Sequence, residues 1–319
     1  MNEFRNKKVL VTGGTGLIGR QVVDLLVKAG ADLTIATLDD LEFYGHVRYF
    51  RDDLRDLDNA RQVVKWQEYV FHLAGVKASP KISSEKSVLM SEITLSVGQN
   101  VIRACQEFQT QNVLFTSSIG AYAEAELLKE ENAYDGDAMD SAGEAKREVE
   151  RQIQTYQRKY GLIFKVVRIA NCYGAGDNFD LENAMFIPSL MAKVLRGDDP
   201  IEIWGDGSQV RDFIYSKDAA KGIIHMMLKS PDSMPVNIGS GKGYTVADVV
   251  KELQRIVKFK IKYDTTKPTG VARRVLDVTK AKSIGFESQY SLYDGLKETW
   301  EWFKSNPDEY KRRLNYFHG

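Results

Sequence analysis

The chain has 319 residues, 43% hydrophobic and 28% charged, enough for one large core or two modest ones in an ordinary globular protein. Its 44 Lys+Arg balance 44 Asp+Glu, so no basic excess marks nucleic acid or an anionic membrane as a partner. No apolar run approaches the roughly 18 residues of a membrane span, and the opening Met1-Asn2-Glu3-Phe4-Arg5 has no signal-peptide core, so the cytoplasm is the expected location. Two cysteines, Cys105 and Cys172, and four scattered histidines give neither a disulfide framework nor a zinc spacing, and no metal is expected.

Lys8 to Thr12 is a short apolar run that breaks into Gly13-Gly14-Thr15-Gly16 and resumes as Leu17, Ile18, Gly19, Val22, Val23, Leu25 and Leu26 at helical spacing. The pattern reads strand, tight turn, helix. Gly13 permits the turn, Gly16 lets a backbone approach a pyrophosphate, and Gly19 lets the helix pack on the strand. Leu17 and Ile18 lie at the helix N-terminus, whose free N–H groups favour an anion. Placed between a strand and an amphipathic helix, the run predicts a dinucleotide site rather than a plain turn.

Asp32 to Leu38 is the second expected strand. Thr37 stands where an acidic residue normally holds the ribose hydroxyls of NAD, with Asp39 and Asp40 just beyond. No Arg or Lys is expected close by to receive a 2′-phosphate, which leans toward NAD over NADP without deciding between them. Val47 to Phe50 makes a third strand, followed by Asp52-Asp53-Leu54-Arg55-Asp56; Asp53 suits an adenine amino group, or else the acidic start of a helix. Tyr69 to Lys77 is the fourth strand and its exit, with His72 expected to be packed.

A helix from about Ser87 to Phe108 leads to a fifth strand, Asn112 to Ser118. An acidic loop from Glu124 to Asp140 follows, then a helix from Ala142 to Tyr160 with Ser141 as its candidate cap. Leu162 to Ile169 is a sixth strand. Alternation at this spacing predicts parallel βαβ units with right-handed crossovers. Beyond Asn171 come a loop through Gly176, a helix over Ile187–Leu195, the turn Trp204 to Asp212 between two strand-like runs, and helices near 216–228, 245–256 and 292–303. A loop surrounds Pro268 and Gly270. The expected class is α/β, a Rossmann-like doubly wound parallel sheet with a smaller C-terminal substrate-binding lobe. The sheet domain takes 1–170 with 206–235 returning to it, and the lobe takes 171–205 and 236–319.

These residues resemble the extended short-chain dehydrogenase/reductase family, in the branch that modifies nucleotide-diphosphate sugars. The resemblance runs nearly end to end: Gly13-x-x-Gly16-x-x-Gly19, Asp53-Leu54-Arg55-Asp56, His72-Leu73-Ala74-Gly75, Ser117-Ser118, Asn171-x-Tyr173-Gly174 and Trp204-Gly205-Asp206-Gly207-x-x-x-Arg211-Asp212-Phe213. Asp177-Asn178-Phe179, Ile187-Pro188 and Lys267-Pro268-x-Gly270-x-x-Arg273-x-x-Leu276-Asp277 are similar to GDP-fucose synthases, which epimerise and then reduce a 4-keto GDP-sugar. The resemblance implies an NAD or NADP cofactor held by Gly13, Gly16, Gly19, Asp53, Leu54, Ala74, Gly75 and Lys77. It implies Ser118 on the reacting sugar oxygen and Lys146 on the nicotinamide ribose. Asn171, Arg211 and Arg273 would contact the sugar nucleotide, a GDP-sugar by this likeness, and the protein would be a homodimer.

The family places a tyrosine four residues before the lysine, on the same helix face; here that position is Ala142. The epimerising Cys and His of the fucose synthases correspond to Gly120 and Met185, and the Asp-Glu pair of 4,6-dehydratases to Ile119 and Gly120. Three explanations stay open at this point. A tyrosine has been replaced at 142; or another group, Ser118, Glu144, Tyr173 or water, works with Lys146; or the chain binds a nucleotide without turning it over. An epimerase is the simplest activity, keto-sugar reduction the neighbouring one. Glu144 and Arg147 are expected on the solvent face of the helix, Tyr122 and Cys172 in packing, and Tyr134 away from Lys146.

Overall fold

The computed structural model describes residues 2–267 and 269–314; Pro268, part of the predicted loop, lies outside them. The first half alternates strand and helix as the apolar spacing requires. It runs β1 (Lys8–Thr12), α1 (Gly19–Lys28), β2 (Asp32–Ala36), β3 (Arg48–Phe50), α2 (Leu57–Val64), β4 (Tyr69–His72), α3 (Pro80–Glu85), α4 (Ser87–Glu107) and β5 (Asn112–Ser118). After a two-residue strand β6 (Leu127–Leu128) come α5 (Ser141–Tyr160) and β7 (Lys165–Ile169). Val9, Leu10 and Val11 are all fully buried, as a parallel strand covered on both faces must be.

The remaining elements are β8 (Asn171–Tyr173), α6 (Phe186–Arg196), β9 (Ile201–Trp204), β10 (Val210–Tyr215), α7 (Ser216–Lys229), β11 (Val236–Ile238), β12 (Gly243–Thr245) and α8 (Val246–Gln254). Then follow β13 (Ile261–Asp264), β14 (Arg273–Leu276), α9 (Thr279–Ser283) and α10 (Leu292–Ser305). The large sheet has seven parallel strands in the order β11-β7-β5-β4-β1-β2-β3. Strand order reverses between β1 and β4, which opens a crevice at their carboxyl ends. This is the expected Rossmann-like, doubly wound α/β fold. The sheets correct both boundaries of the expected return: β10 lies in a smaller sheet, so the return begins with α7 at Ser216 instead of at 206, and β11 pairs with β7, so it runs through Ile238 instead of ending at 235.

A second layer gathers β12, β10, β14, β6 and β8 in a smaller sheet and β9 with β13 in another, packed with α6, α8 and α10 around Leu190, Met191, Val249, Leu296 and Trp300. Strand β10 thus carries Arg211 and Asp212 beside β14, with Arg211 in register with Arg274. Helix α3, absent from the sequence reading, is started by Ser79 and Pro80. Helix α5 is capped by Asp140, whose carboxylate accepts from Gly143 N at 2.7 Å; Ser141, the expected cap, donates instead to the Ser87 carbonyl.

Candidate active site

The glycine turn is built as its spacing predicts. Gly13 has φ +69°, and a Cβ there would stand 2.9 Å from the Ala74 backbone, so the turn is pressed against the exit of β4. A Cβ on Gly19 would collide with the Gly13 carbonyl, which accepts from Gly16 N at 3.0 Å. Leu17 and Ile18 follow, half-buried, at the head of α1. Thr12 stitches β1 to β4: its hydroxyl accepts from Leu73 N and Ala74 N at 3.2 Å each and sits 2.6 Å from His72 Nδ1. His72 is packed as expected; burial, helped by the Lys146 charge, lowers its pKa to about 3.

Across the crevice, Ser118 ends β5 and Lys146 lies on the second turn of α5. Lys146 makes no hydrogen bond among the described residues, and burial lowers its pKa while Asp140 and Glu150 oppose that effect. A Cβ on Gly75 would stand 3.9 Å from its Nζ with nothing closer than its own Cε, so the ammonium faces a bare stretch of wall. One turn earlier, Ala142 abuts a small apolar cluster of Val76, Ala78, Met90 and Ile93.

One expectation around this helix needs correction, and one candidate for the missing phenol falls away. Arg147 is buried, not solvent-facing: Nε and Nη2 donate to the Ala121 carbonyl at 2.9 and 2.7 Å, and Nη1 to the Gly136 carbonyl. Tyr173 cannot stand in for the missing phenol. It is buried with its hydroxyl on the Leu292 carbonyl at 3.3 Å, and burial pushes its pKa well up. Glu144 faces solvent as expected, with its side chain 45% exposed, and accepts from Ala138 N near Arg147 and Arg151. Tyr134 lies under Arg168 with its hydroxyl on Gln154, and Tyr122 is packed, as expected, with its hydroxyl on Asn237. Asp140, at the end of the predicted loop, lies over Gly120: a Cβ there would meet its Oδ2 at 2.5 Å, so the bare glycine makes room for the carboxylate.

On the facing lobe, Arg211 and Arg274 are register partners on adjacent strands, and both lose basicity through burial, Arg211 also through Arg274. Asp140 and Glu124 counter that loss at Arg274, whose Nε is buried with no partner among the described residues. Arg273, the sequence candidate, is exposed and turns toward Gly243, because successive strand side chains alternate. The Asn171 amide donates to the Asp212 carbonyl at 2.9 Å, and buried Asp212 ties β10 to Ser240, Gly241 and Leu276. Cys172 packs against the main core, and burial raises its thiol pKa.

The sequence profile of the NAD dependent epimerase/dehydratase family matches residues 9–239. The chain belongs to that family. It is similar, at 30% identity over 93% of its length and 99% of the relative, to a Methanocaldococcus jannaschii protein provisionally named UDP-glucose 4-epimerase. It is 25% identical to the GDP-L-fucose synthase of Azorhizobium caulinodans over 96% of this chain and 99% of that one. The crystal structure of UDP-glucose 4-epimerase with UDP-glucose from Thermotoga maritima is similar at TM-score 0.85 and 28% identity, covering 94% of this chain and 99% of that chain.

For a member of this family the residues fit a nicotinamide dinucleotide: the crevice lies at the sheet's switch point, Gly16 is clear except for the Gly13 carbonyl at 3.3 Å, and the Lys146 ammonium has no other hydrogen-bond partner among the described residues. Asp53 is engaged by Arg55, whose guanidinium and backbone N–H donate to it and hold its pKa low. Leu54 is buried beside it. Lys77 donates to Asp177 at 3.1 Å and to the Cys172 carbonyl. No group of three or more His, Cys, Asp or Glu that would hold a metal occurs among the described residues.

Proposed function

We propose that the chain is an NAD(P)-dependent nucleotide-diphosphate-sugar oxidoreductase working as an epimerase. The observation that carries this reading is the glycine turn at the sheet's switch point with the Lys146 ammonium, free of hydrogen-bond partners among the described residues, across the crevice. The ammonium suits a dinucleotide's ribose, and Arg211 and Arg274, register partners on adjacent strands, form a guanidinium pair suited to a diphosphate. Arg211 and Arg274 hold the diphosphate, Asn171 the sugar side, and Trp204, 53% exposed at the end of β9, offers a face to the base. UDP- and GDP-sugars both meet this description.

The cofactor supplies, when bound, a hydride acceptor and donor at the nicotinamide. Ser118 hydrogen-bonds the reacting sugar oxygen, and Lys146 holds the nicotinamide ribose and favours negative charge developing on that oxygen. With Ala142 in place of a phenol, proton transfer passes through Ser118 to water, and the general acid–base factor of order 10²–10⁴ is forgone. Ala142 also favours a second reading, a relative that binds a sugar nucleotide without converting it.

The test is NMR of UDP- and GDP-hexoses incubated with the protein and catalytic NAD. An epimer appearing without net change in nicotinamide absorbance supports epimerisation. Stoichiometric NADPH consumption on a keto-sugar nucleotide makes it a reductase, and a bound but unchanged sugar makes it a binding protein.

A further inference from the structure

The C-terminal segment returns to the first βα unit. Its last turn, Glu309–Arg312, and the two residues after it lie against the glycine turn and the end of β2. Arg313 Nη2 donates to the Thr15 carbonyl at 3.4 Å, across 298 residues of sequence. Leu314 N donates to Asp39 Oδ1 at 3.0 Å, and Asp40 N to the Arg312 carbonyl at 3.2 Å. This overturns the expectation that no basic residue stands near that end of the crevice.

Asp39 is consequently held from two sides. Its Oδ2 accepts from the Thr15 hydroxyl at 2.7 Å, which also bonds Thr37 at 2.6 Å, and the Thr37 hydroxyl accepts from Asp39 N. A carboxylate has about four acceptor sites, so two remain for a ligand. The segment is itself anchored: Glu309 Oε1 pairs with Arg20 at 2.6 Å and lies 3.7 Å from Arg313. The Arg20 guanidinium lies over Phe43 at 4.4 Å and Trp302 at 5.2 Å, which fixes it in place.

We propose that residues 309–314 form the outer wall of the adenosine-ribose subsite, orienting Asp39 toward the ribose hydroxyls and making the site selective for NAD over NADP. The proposal rests on the dinucleotide reading above. In this fold the carboxylate at the end of β2, about 20 residues past the glycine turn, is where the ribose 2′-hydroxyl is read. A 2′-phosphate would meet the Asp39 charge, while the charges of Arg20 and Arg313 are shared with Glu309. Arg313 and Glu309 act as positioning residues, through Asp39 and Thr15.

The experiment is fluorescence titration of NADH and NADPH into the full chain and into Glu309→Gln, Arg313→Ala and Leu314→Pro, the last of which removes the N–H on Asp39. The unaltered protein should bind NADH at least about tenfold tighter than NADPH. Each variant should weaken NADH several-fold and narrow that ratio, with UDP- or GDP-sugar affinity by calorimetry unchanged. Should a variant fail to fold, hydrogen exchange on the unaltered chain replaces it: amides 312–314 should gain protection with saturating NADH. NADPH binding as tightly as NADH, which would make the unpartnered Arg313 Nε a 2′-phosphate contact, overturns the proposal. So do variants that leave NADH binding unchanged or tighten it, or amides that gain no protection. Binding of neither dinucleotide instead removes the cofactor reading itself.

Discussion

Arg168 and Glu150 form a two-pronged ion pair, Nη2 to Oε2 at 2.7 Å and Nε to Oε1 at 3.0 Å, with neither side chain reaching solvent. The guanidinium also donates to the Ala133 carbonyl and lies 4.1 Å from the Tyr122 ring centroid. The pair fastens α5, which carries Lys146 and position 142, to β7. Removing one partner leaves a buried charge unpaired, so Glu150→Ala should cost about 3–5 kcal/mol of stability. Urea unfolding of the two proteins measures it, and a loss below about 1 kcal/mol would mean that water reaches the pair.

Arg274 and Arg273 are adjacent in sequence but on opposite sides of β14. Arg274→Ala should weaken nucleotide-sugar binding by about 1.5–3 kcal/mol, the range for a hydrogen bond to a charged group, and leave NADH binding intact. Arg273→Ala should change neither by more than a few tenths of a kcal/mol. Calorimetric titration of both variants decides between them; equal losses would remove the register argument.

What was legible in the chain follows from how local each determinant is. Gly13, Gly16 and Gly19 set a backbone path by their own lack of side chains, and β1, β2, β4, β5 and β7 show as short apolar runs, so the sheet and its crevice could be read directly. Ser118 and Lys146 sit at strand-end and helix positions that the spacing supplies. Arg274 was missed because which of two neighbouring arginines faces inward depends on pairing with β10, which no local pattern encodes. Arg147 read as exposed because its partners are carbonyls of distant turns at Ala121 and Gly136. The contact of Arg313 with Thr15 joins opposite ends of the chain, beyond any window of sequence.

His72 supplies a pH dependence whose sign follows from its burial. Its pKa falls from an ordinary 6.5 to about 3 in the fold, so between those values the unfolded chain binds a proton that the native state does not. Stability from this group is therefore full above pH 6.5 and declines as pH falls toward 3, by about 2 kcal/mol at pH 5. Urea midpoints at pH 5 and 7 for the unaltered chain and His72→Gln isolate the effect. The variant should lose that part of the slope, and identical slopes would show that the imidazole is protonated in the fold.

Position 142 decides between slow chemistry and none. Its side chain lies one helical turn before Lys146 and packs against the small apolar cluster of Val76, Ala78, Met90 and Ile93, so a tyrosine there adds bulk beside that cluster. If the phenol is all that the site lacks, Ala142→Tyr places an acid–base group beside a half-buried ammonium that favours its ionised form. Turnover of the sugar nucleotide should then rise by about 10²–10⁴. Overpacking would show differently, as about 1–3 kcal/mol of lost stability with no gain in rate. Single-turnover rates and unfolding midpoints, measured together for the unaltered chain and the variant, separate these outcomes. A well-folded variant that binds sugar nucleotide and NADH normally yet converts nothing would establish the chain as a binding protein.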